Sequence, residues 1–210
     1  MALKPGKRQI NSERTKQKIY HSAIGLFHRY GYENVSVEDI VRVSETSVGS
    51  FYHFFKSKDE LPILFMQNNL QAAFEEYEKE VLIPAREKNT PVIDQICDFL
   101  FYALKITHDC GEEFLRVAMI YLMKDIDGEI SYNYMFNPDR AFARICRQLI
   151  REGQEAGEFR DDKSVDELFT KINIFSNGID QQCYLQSKRI NVQEVYGDYL
   201  LDFTRSLLLK

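Results

Sequence analysis

Residues 15–61 read TKQKIYHSAIGLFHRYGYENVSVEDIVRVSETSVGSFYHFFKSKDEL, and their punctuation decides the fold, because it divides the stretch into three short helices with a stop or cap at each. Ile19, Ala23, Leu26, Phe27 and Tyr30 recur at the spacing of one helical face, and Gly31 stops that helix. Ser36 followed three residues later by Asp39 is a capping-box pattern, so a second helix starts there and buries Val37, Ile40 and Val41. Ser44, Glu45, Thr46 and Ser47 supply the next turn and cap. Val48 to Phe54 then form a third helix whose small face, Val48, Gly49 and Ser50, can approach another surface closely. Two short helices joined by a tight turn are what a DNA major groove accepts, so the segment predicts a DNA-binding head.

At GLFHRYGYENVSVEDIV and VGSFYHFFKSKDEL the chain resembles the head of a TetR-type transcriptional regulator. Phe27, Gly31 and Tyr32 match the Phe-x-x-x-Gly-Tyr end of the family's first helix. Ser36, Val37 and Ile40 match its Thr/Ser-Val-x-x-Ile second helix, and Gly49, Tyr52, Phe55, Lys58 and Leu61 match the Gly-x-x-Tyr-x-x-Phe-x-x-Lys-x-x-Leu run that follows. The resemblance covers roughly the first quarter of the chain. It implies an all-α protein, with a three-helix helix-turn-helix head and basic arm over residues 1–61 and a helical effector-binding and dimerisation body over residues 62–210. It further implies phosphate contacts at Ser36, Ser47, Tyr52, His53 and Lys58 and base-edge contacts at Val48, Gly49 and Ser50, where phosphates set register and bases specify. Thr46 in the turn and Lys7 and Arg8 in the arm complete the DNA-binding set. One departure stands out: Ser44-Glu45-Thr46 occupies the turn where the family usually has Ala-Gly-Val, which removes a glycine and adds an anion beside DNA.

Charge is asymmetric along the chain. Residues 1–61 hold ten Lys/Arg against seven Asp/Glu, a net +3, whereas the remainder holds 17 against 25, a net −8, so an overall charge of −5 does not argue against DNA. Lys4, Lys7, Arg8, Arg14, Lys16 and Lys18 face Glu13 alone, an arm able to neutralise phosphates or enter a minor groove. Glycine and proline are few, 10 and 5, as a helix-rich chain requires. Cys97, Cys110, Cys146 and Cys183 are far apart, with no ligand or redox spacing. His21 and His28 lie seven residues apart, nearly two turns, too far for two ligands of one metal on a rigid helix. No apolar run approaches the roughly 18 residues of a membrane span and no signal-peptide pattern opens the sequence. No triad, nucleophile elbow or phosphate-cradling glycine loop appears. A cytoplasmic protein without metal, cofactor, membrane partner or catalytic site is expected.

The body reads as a series of helices. Ser57 to Glu60 is a second capping-box pattern, opening a long helix expected to run to about Val81 before Pro84 ends it. Thr90 and Pro91 place a cap and a first-turn proline before VIDQICDFLFYALKITHD, which is apolar on most faces and so central. Gly111 interrupts the chain, and EEFLRVAMIYLMKDI follows with Phe114, Val117, Ala118, Tyr121 and Leu122 inward. Asn137 and Pro138 cap the next helix, from Asp139 to about Ala156, and Gly157 ends it. Ser164 to Glu167 is a third capping box. Leu168, Ile172, Phe175, Ile179 and Cys183 then line one face, and Val192, Val195, Tyr196, Tyr199, Leu200, Phe203 and Leu207 another after a turn near 188–191.

Two such helices can bury their stripes inwardly or against a symmetric copy. The resemblance implies a four-helix dimer bundle, with Leu168, Ile172, Phe175, Ile179, Tyr196, Tyr199, Leu200 and Phe203 at the interface. A pocket for a small apolar or aromatic effector is expected among Phe101, Tyr102, His108, Phe114, Met119, Tyr121, Phe142, Phe175 and Asp180, with Asn177 and Gln181 as further polar partners; each aromatic alone also suits ordinary core packing. The expected protein is a homodimeric repressor, released by its effector from a pseudo-palindromic double-stranded operator. The alternatives are a helix-turn-helix regulator controlled by a protein partner and an enzyme with an incidental helical head.

Overall fold

The computed structural model describes residues 6–124, 127, 128, 132, 137–186 and 192–210, with backbone alone at 183–186 and 192–194. Lys4, the turn near 188–191 and the side chains of Cys183 and Val192 therefore lie outside the described residues. Every element among the described residues is a helix, and the chain divides into two compact units, Met1–Phe65 with Glu113–Tyr121, and Met66–Glu112 with Leu122–Lys210.

The first unit, the head, begins with α1 (Lys7–Tyr30), followed by α2 (Val37–Val43) and α3 (Val48–Phe54). At 24 residues α1 is not the short helix that its apolar stripe suggested, because the basic segment is already helical from Lys7. Gly31 ends it at φ +80 with its N–H on the Phe27 carbonyl at 2.9 Å, a backbone conformation that side chains resist. Ile19, Phe27, Tyr32, Ile40, Phe51 and Phe55 close the head core, each under 5% exposed.

This unit also contains most of α7 (Glu112–Met123), which the sequence assigned to the body. Phe114 is buried with its ring centroid 4.8 Å from Phe65, 5.1 Å from His28 and 6.1 Å from Phe27. The Glu113 carboxylate accepts the Tyr32 N–H at 3.0 Å. A compact head thus needs a helix 81 residues away from the loop it braces.

In the body, α4 (Glu60–Tyr77) continues through a π-helical turn, Glu78–Leu82, into α5 (Ile83–Glu87). Pro84 does not end the helix as expected. A proline lacks the N–H of an α-helical ladder, and the wider turn just ahead of it carries the helical path past that break. Nor is the expected box at its start complete: Ser57 Oγ is buried without a partner, and the Glu60 carboxylate accepts the Lys56 N–H at 2.6 Å instead.

Four further helices, α6 (Val92–Asp109), α8 (Ala141–Glu155), α9 (Val165–Gln186) and α10 (Val192–Leu208), pack around Phe74, Phe99, Leu100, Ile145, Leu149 and Phe169. The start of α6 is capped from a distance. Pro91 is its N-cap residue rather than its first helical one, and the Glu158 carboxylate accepts the N–H groups of Val92 and Ile93 at 2.9 and 3.3 Å. Helix α8 starts two residues later than Asn137-Pro138 suggested, at Ala141, whose N–H goes to Gln71 Oε1 at 3.0 Å. Ser164 does cap α9, accepting the Glu167 N–H at 3.1 Å, while the Glu167 carboxylate turns to Lys163 and Lys171 at 2.9 Å each. Phe159 pairs with Leu209 in a short antiparallel bridge and lies on Gly153, where an added Cβ would stand 2.2 Å from the ring.

Candidate nucleic-acid interface and body cavity

The α2–α3 pair is set by side chains that cap their own helices. Ser36 Oγ accepts the Asp39 N–H at 3.1 Å and the Asp39 carboxylate accepts the Ser36 N–H at 3.0 Å, a complete capping box. Hydrogen bonds from Ser36 and the neighbouring Arg42 guanidinium hold the Asp39 carboxyl below the usual carboxylate range. At α3, Ser47 Oγ accepts the Ser50 N–H at 3.1 Å.

Between these helices, Glu45 takes φ +49, the left-handed conformation that a glycine enters freely. Ser44 beside it is fully buried, its hydroxyl 2.8 Å from Thr46 Oγ1. The turn therefore closes on the departure from the family pattern, and Lys18 of α1 meets the added anion at 2.7 Å. That ammonium group lowers the Glu45 carboxyl, so the charge is paired within the chain.

Helix α3 has two faces. Phe51 and Phe55 are locked in the head core, whereas Val48 and Tyr52 are 40% and 56% exposed and Gly49 and His53 are exposed beside them. A Cβ on Gly49 would meet only Ser47 Oγ at 3.8 Å, so this face is open. Ser36 and Ser47 are exposed at the two helix starts, Thr46 and Ser50 are half-buried, and Lys7 and Arg8 are exposed on the first turn of α1. Lys58 is drawn inward from this set: its ammonium group donates to the carbonyls of Tyr32 and Val35 at 3.0 and 2.8 Å and lies 4.0 Å from the Tyr32 ring centroid. Tyr32 in turn donates its hydroxyl to Asp59, and burial raises its pKa.

The body holds a cavity with about 710 Å³ of empty space, counting its open mouth. Its apolar wall includes Leu70 and Phe74 of α4, Leu100 and Leu104 of α6, and Phe142 of α8. Asn173, Ser176, Asn177 and Asp180 form the polar side along α9. Among the sequence candidates, Phe142, Asp180 and Asn177 stand on this wall.

The other candidates lie elsewhere. Phe114, Met119 and Tyr121 belong to the head unit. Phe101 packs against Gly197, and Tyr102 stacks on Tyr77 with centroids 4.4 Å apart. His108 is half-buried with Nε2 unpartnered, its pKa lowered by burial, and Gln181 is exposed. Phe175 lies flat on Phe203, centroids 4.0 Å apart. Two wall residues that were missed, Asn173 and Ser176, had a readable signal, because with Asn177 and Asp180 they recur at helical spacing as a polar stripe.

The expected interface stripe divides in the same way. Leu168, Ile172, Ile179 and Leu200 are 5% exposed or less within one chain, so they face its own core rather than a second copy. Tyr199 remains 58% exposed, beside the half-buried Tyr196, and two residues outside the expected set, Ile174 and Val195, are 62% and 37% exposed. The outward apolar face is thus narrower and rotated from the one the sequence offered.

Among the described residues no cluster of three His, Cys, Asp or Glu could hold a metal, and no helix is long and apolar enough to cross a membrane. Cys97, Cys110 and Cys146 are free thiols, the first two pushed up to about 11 by burial and the third also raised, so they stay protonated near neutral pH.

Residues 19–62 match the family model for bacterial regulatory proteins of the tetR family. A probable HTH-type transcriptional regulator of Bacillus subtilis, YttP, is 26% identical over 146 residues, covering 69% of this chain and 67% of the relative. The HTH-type transcriptional repressor NicS of Pseudomonas putida is 22% identical over 170 residues, 80% of this chain and 77% of the relative. In fold, the chain is similar to Thermus thermophilus FadR, a TetR-family transcriptional repressor solved with lauroyl-CoA, at TM-score 0.70 and 13% identity over 91% of this chain and 92% of that one.

Proposed function

We infer that this chain, a transcriptional regulator that belongs to the tetR family of bacterial regulatory proteins, is a homodimeric repressor that leaves its operator when a small molecule fills the body cavity. The outward face of α3 carries the reading: Val48, Gly49, Tyr52 and His53 are open while Phe51 and Phe55 of the same helix are fixed in the core. A rigid helix with one small and polar face is suited to a major groove. Val48 and Gly49 meet base edges, with Ser50 behind them. Ser36, Thr46, Ser47, Tyr52 and His53 meet phosphates, and Lys7 and Arg8 add charge from the start of α1.

Lys58 contributes differently. With two of its three N–H donors on backbone carbonyls, it fixes the α1–α2 loop and has one donor left for a phosphate. Dimerisation uses the outward residues Ile174, Val195 and Tyr199, and the two-fold axis imposes a pseudo-palindromic operator. NicS and FadR are repressors, and FadR was solved with a small-molecule ligand, which supports a ligand-released repressor over an enzyme.

Selection from a randomised duplex library with purified full-length protein at moderate salt tests this reading. An inverted repeat should be enriched, Tyr52→Ala should weaken binding to all sequences alike, and Val48→Ala should change the preferred base, a mismatch being worth about 1–3 kcal/mol. Equal recovery of all duplexes would refute it.

A further inference from the structure

The body cavity contains a group that a purely apolar ligand would leave unmet. Asp180 stands on its α9 wall, and burial alone lifts its carboxyl from 3.8 to about 7. It keeps some open surface, as a cavity-wall residue does, but among the described residues no cation or hydrogen-bond donor meets it. One turn back along the same face lie Asn177 and Ser176, and Ser176 Oγ is sealed from solvent without a partner. Arg140, the one cation among the described wall residues, already has an interaction of its own and does not hold the Asp180 carboxyl down.

Facing this polar strip are Leu70, Phe74, Leu100 and Leu104. A carboxylate without a counter-charge beside apolar walls is costly in its ionised form, and a ligand cation placed against it removes that cost. A ligand carboxylate would add a second like charge instead.

We propose that the body cavity takes a lipophilic amine, its apolar body lying on Leu70, Phe74, Leu100 and Leu104 and its ammonium group paired with the Asp180 carboxylate, with Asn177 as a neighbouring hydrogen-bond partner. This rests on reading the body as the effector-binding domain, and it narrows the effector from any small apolar molecule to a cationic one.

Calorimetry on the full-length protein with decylammonium, decanol and decanoate, three heads on one chain length, tests the class at submicellar concentrations. At about pH 8, where the carboxyl is ionised, decylammonium should bind about tenfold or more tighter than decanol, the scale of one charge-assisted hydrogen bond, with decanoate weakest. Asp180→Asn should erase the advantage of the amine and leave decanol unchanged. Leu104→Phe, which fills the apolar side, should weaken amine and alcohol together.

Decanol or decanoate binding as tightly as the amine would overturn the proposal. So would an amine advantage that survives Asp180→Asn, or amine binding untouched by Leu104→Phe. A separate titration of the selected operator distinguishes the two readings. Asp180-dependent amine binding without operator release keeps the ligand class and removes the effector role, whereas specific operator binding without amine binding removes the ligand class alone.

Discussion

The head closes its helix-turn-helix with contacts three residues apart, whereas the body closes its helices across long stretches of chain. Ser36 with Asp39 and Ser47 with Ser50 are each separated by three residues, but the start of α6 is held by Glu158 from 66 residues away and the start of α8 by Gln71 from 70. The difference follows what each region does. Short-range caps leave a helix face free to meet another molecule, because the backbone groups that would otherwise need tertiary partners are already satisfied. Long-range closure assembles walls from four or five helices and leaves room between them, and in the body one such space has a carboxyl on its wall that no cation meets among the described residues. The exception in the head is instructive: its α1–α2 loop is braced by Glu113 and Phe114, brought from 81 residues away.

The outer face of the body gives the largest expected effect. Ile174→Glu and Tyr199→Glu alter side chains already exposed in one chain, so each should fold with unchanged helical circular dichroism yet run as a monomer in light scattering. A charge forced unpaired into a buried interface costs about 3–5 kcal/mol. Dimers persisting in both variants would move the interface elsewhere.

The cavity comes next. The Asp180 carboxyl rises from 3.8 to about 7 on folding, so the native state binds its proton more tightly than the unfolded chain does. The resulting penalty is complete above about pH 7, shrinks as pH falls and vanishes below about pH 4. Asp180→Asn should therefore unfold at higher urea than wild type at alkaline pH, by a free energy on the order of 4 kcal/mol at most, and the two should converge toward pH 4. A gap constant across that range would mean that the carboxyl is not buried unpaired.

The smallest effect belongs to the turn of the head. Glu45→Gly removes the left-handed strain and frees Lys18 from its ion pair. Operator affinity should rise modestly for all sequences with a steeper salt dependence in fluorescence anisotropy, while thermal stability hardly moves. A fall in affinity would show that the pair holds Lys18 where DNA requires it.

The same contrast in contact range governs what was legible in the sequence. The capping residues Ser36, Ser47 and Ser164 and the helix stop Gly31 could be read because cause and effect lie within a few residues. Pro84 misled because the widened turn before it has no signature of its own in the sequence. Leu168, Ile172, Ile179 and Leu200 were correctly read as apolar stripes, but periodicity states which residues share a face and not what that face meets; here it meets its own chain. Phe114 illustrates the same limit, since an inward aromatic on α7 was read as pocket lining or core of the body, and it packs in the head core instead. Asp180 and Asn177 were found among the candidates, whereas Asn173 and Ser176 on the same cavity wall were overlooked although their spacing places them on that face.

If occupancy of the body cavity sets the DNA affinity of the head, ligand and operator must weaken each other's binding. Ligands that raise the melting temperature of the free protein, and lose that effect in Leu104→Phe, should be titrated against the selected operator with and without ligand, and their own affinity measured for free and DNA-bound protein. Saturating ligand should weaken operator binding by about 5–150-fold, and DNA should weaken ligand binding by the same factor. Operator affinity that stays the same at full cavity occupancy would contradict that coupling.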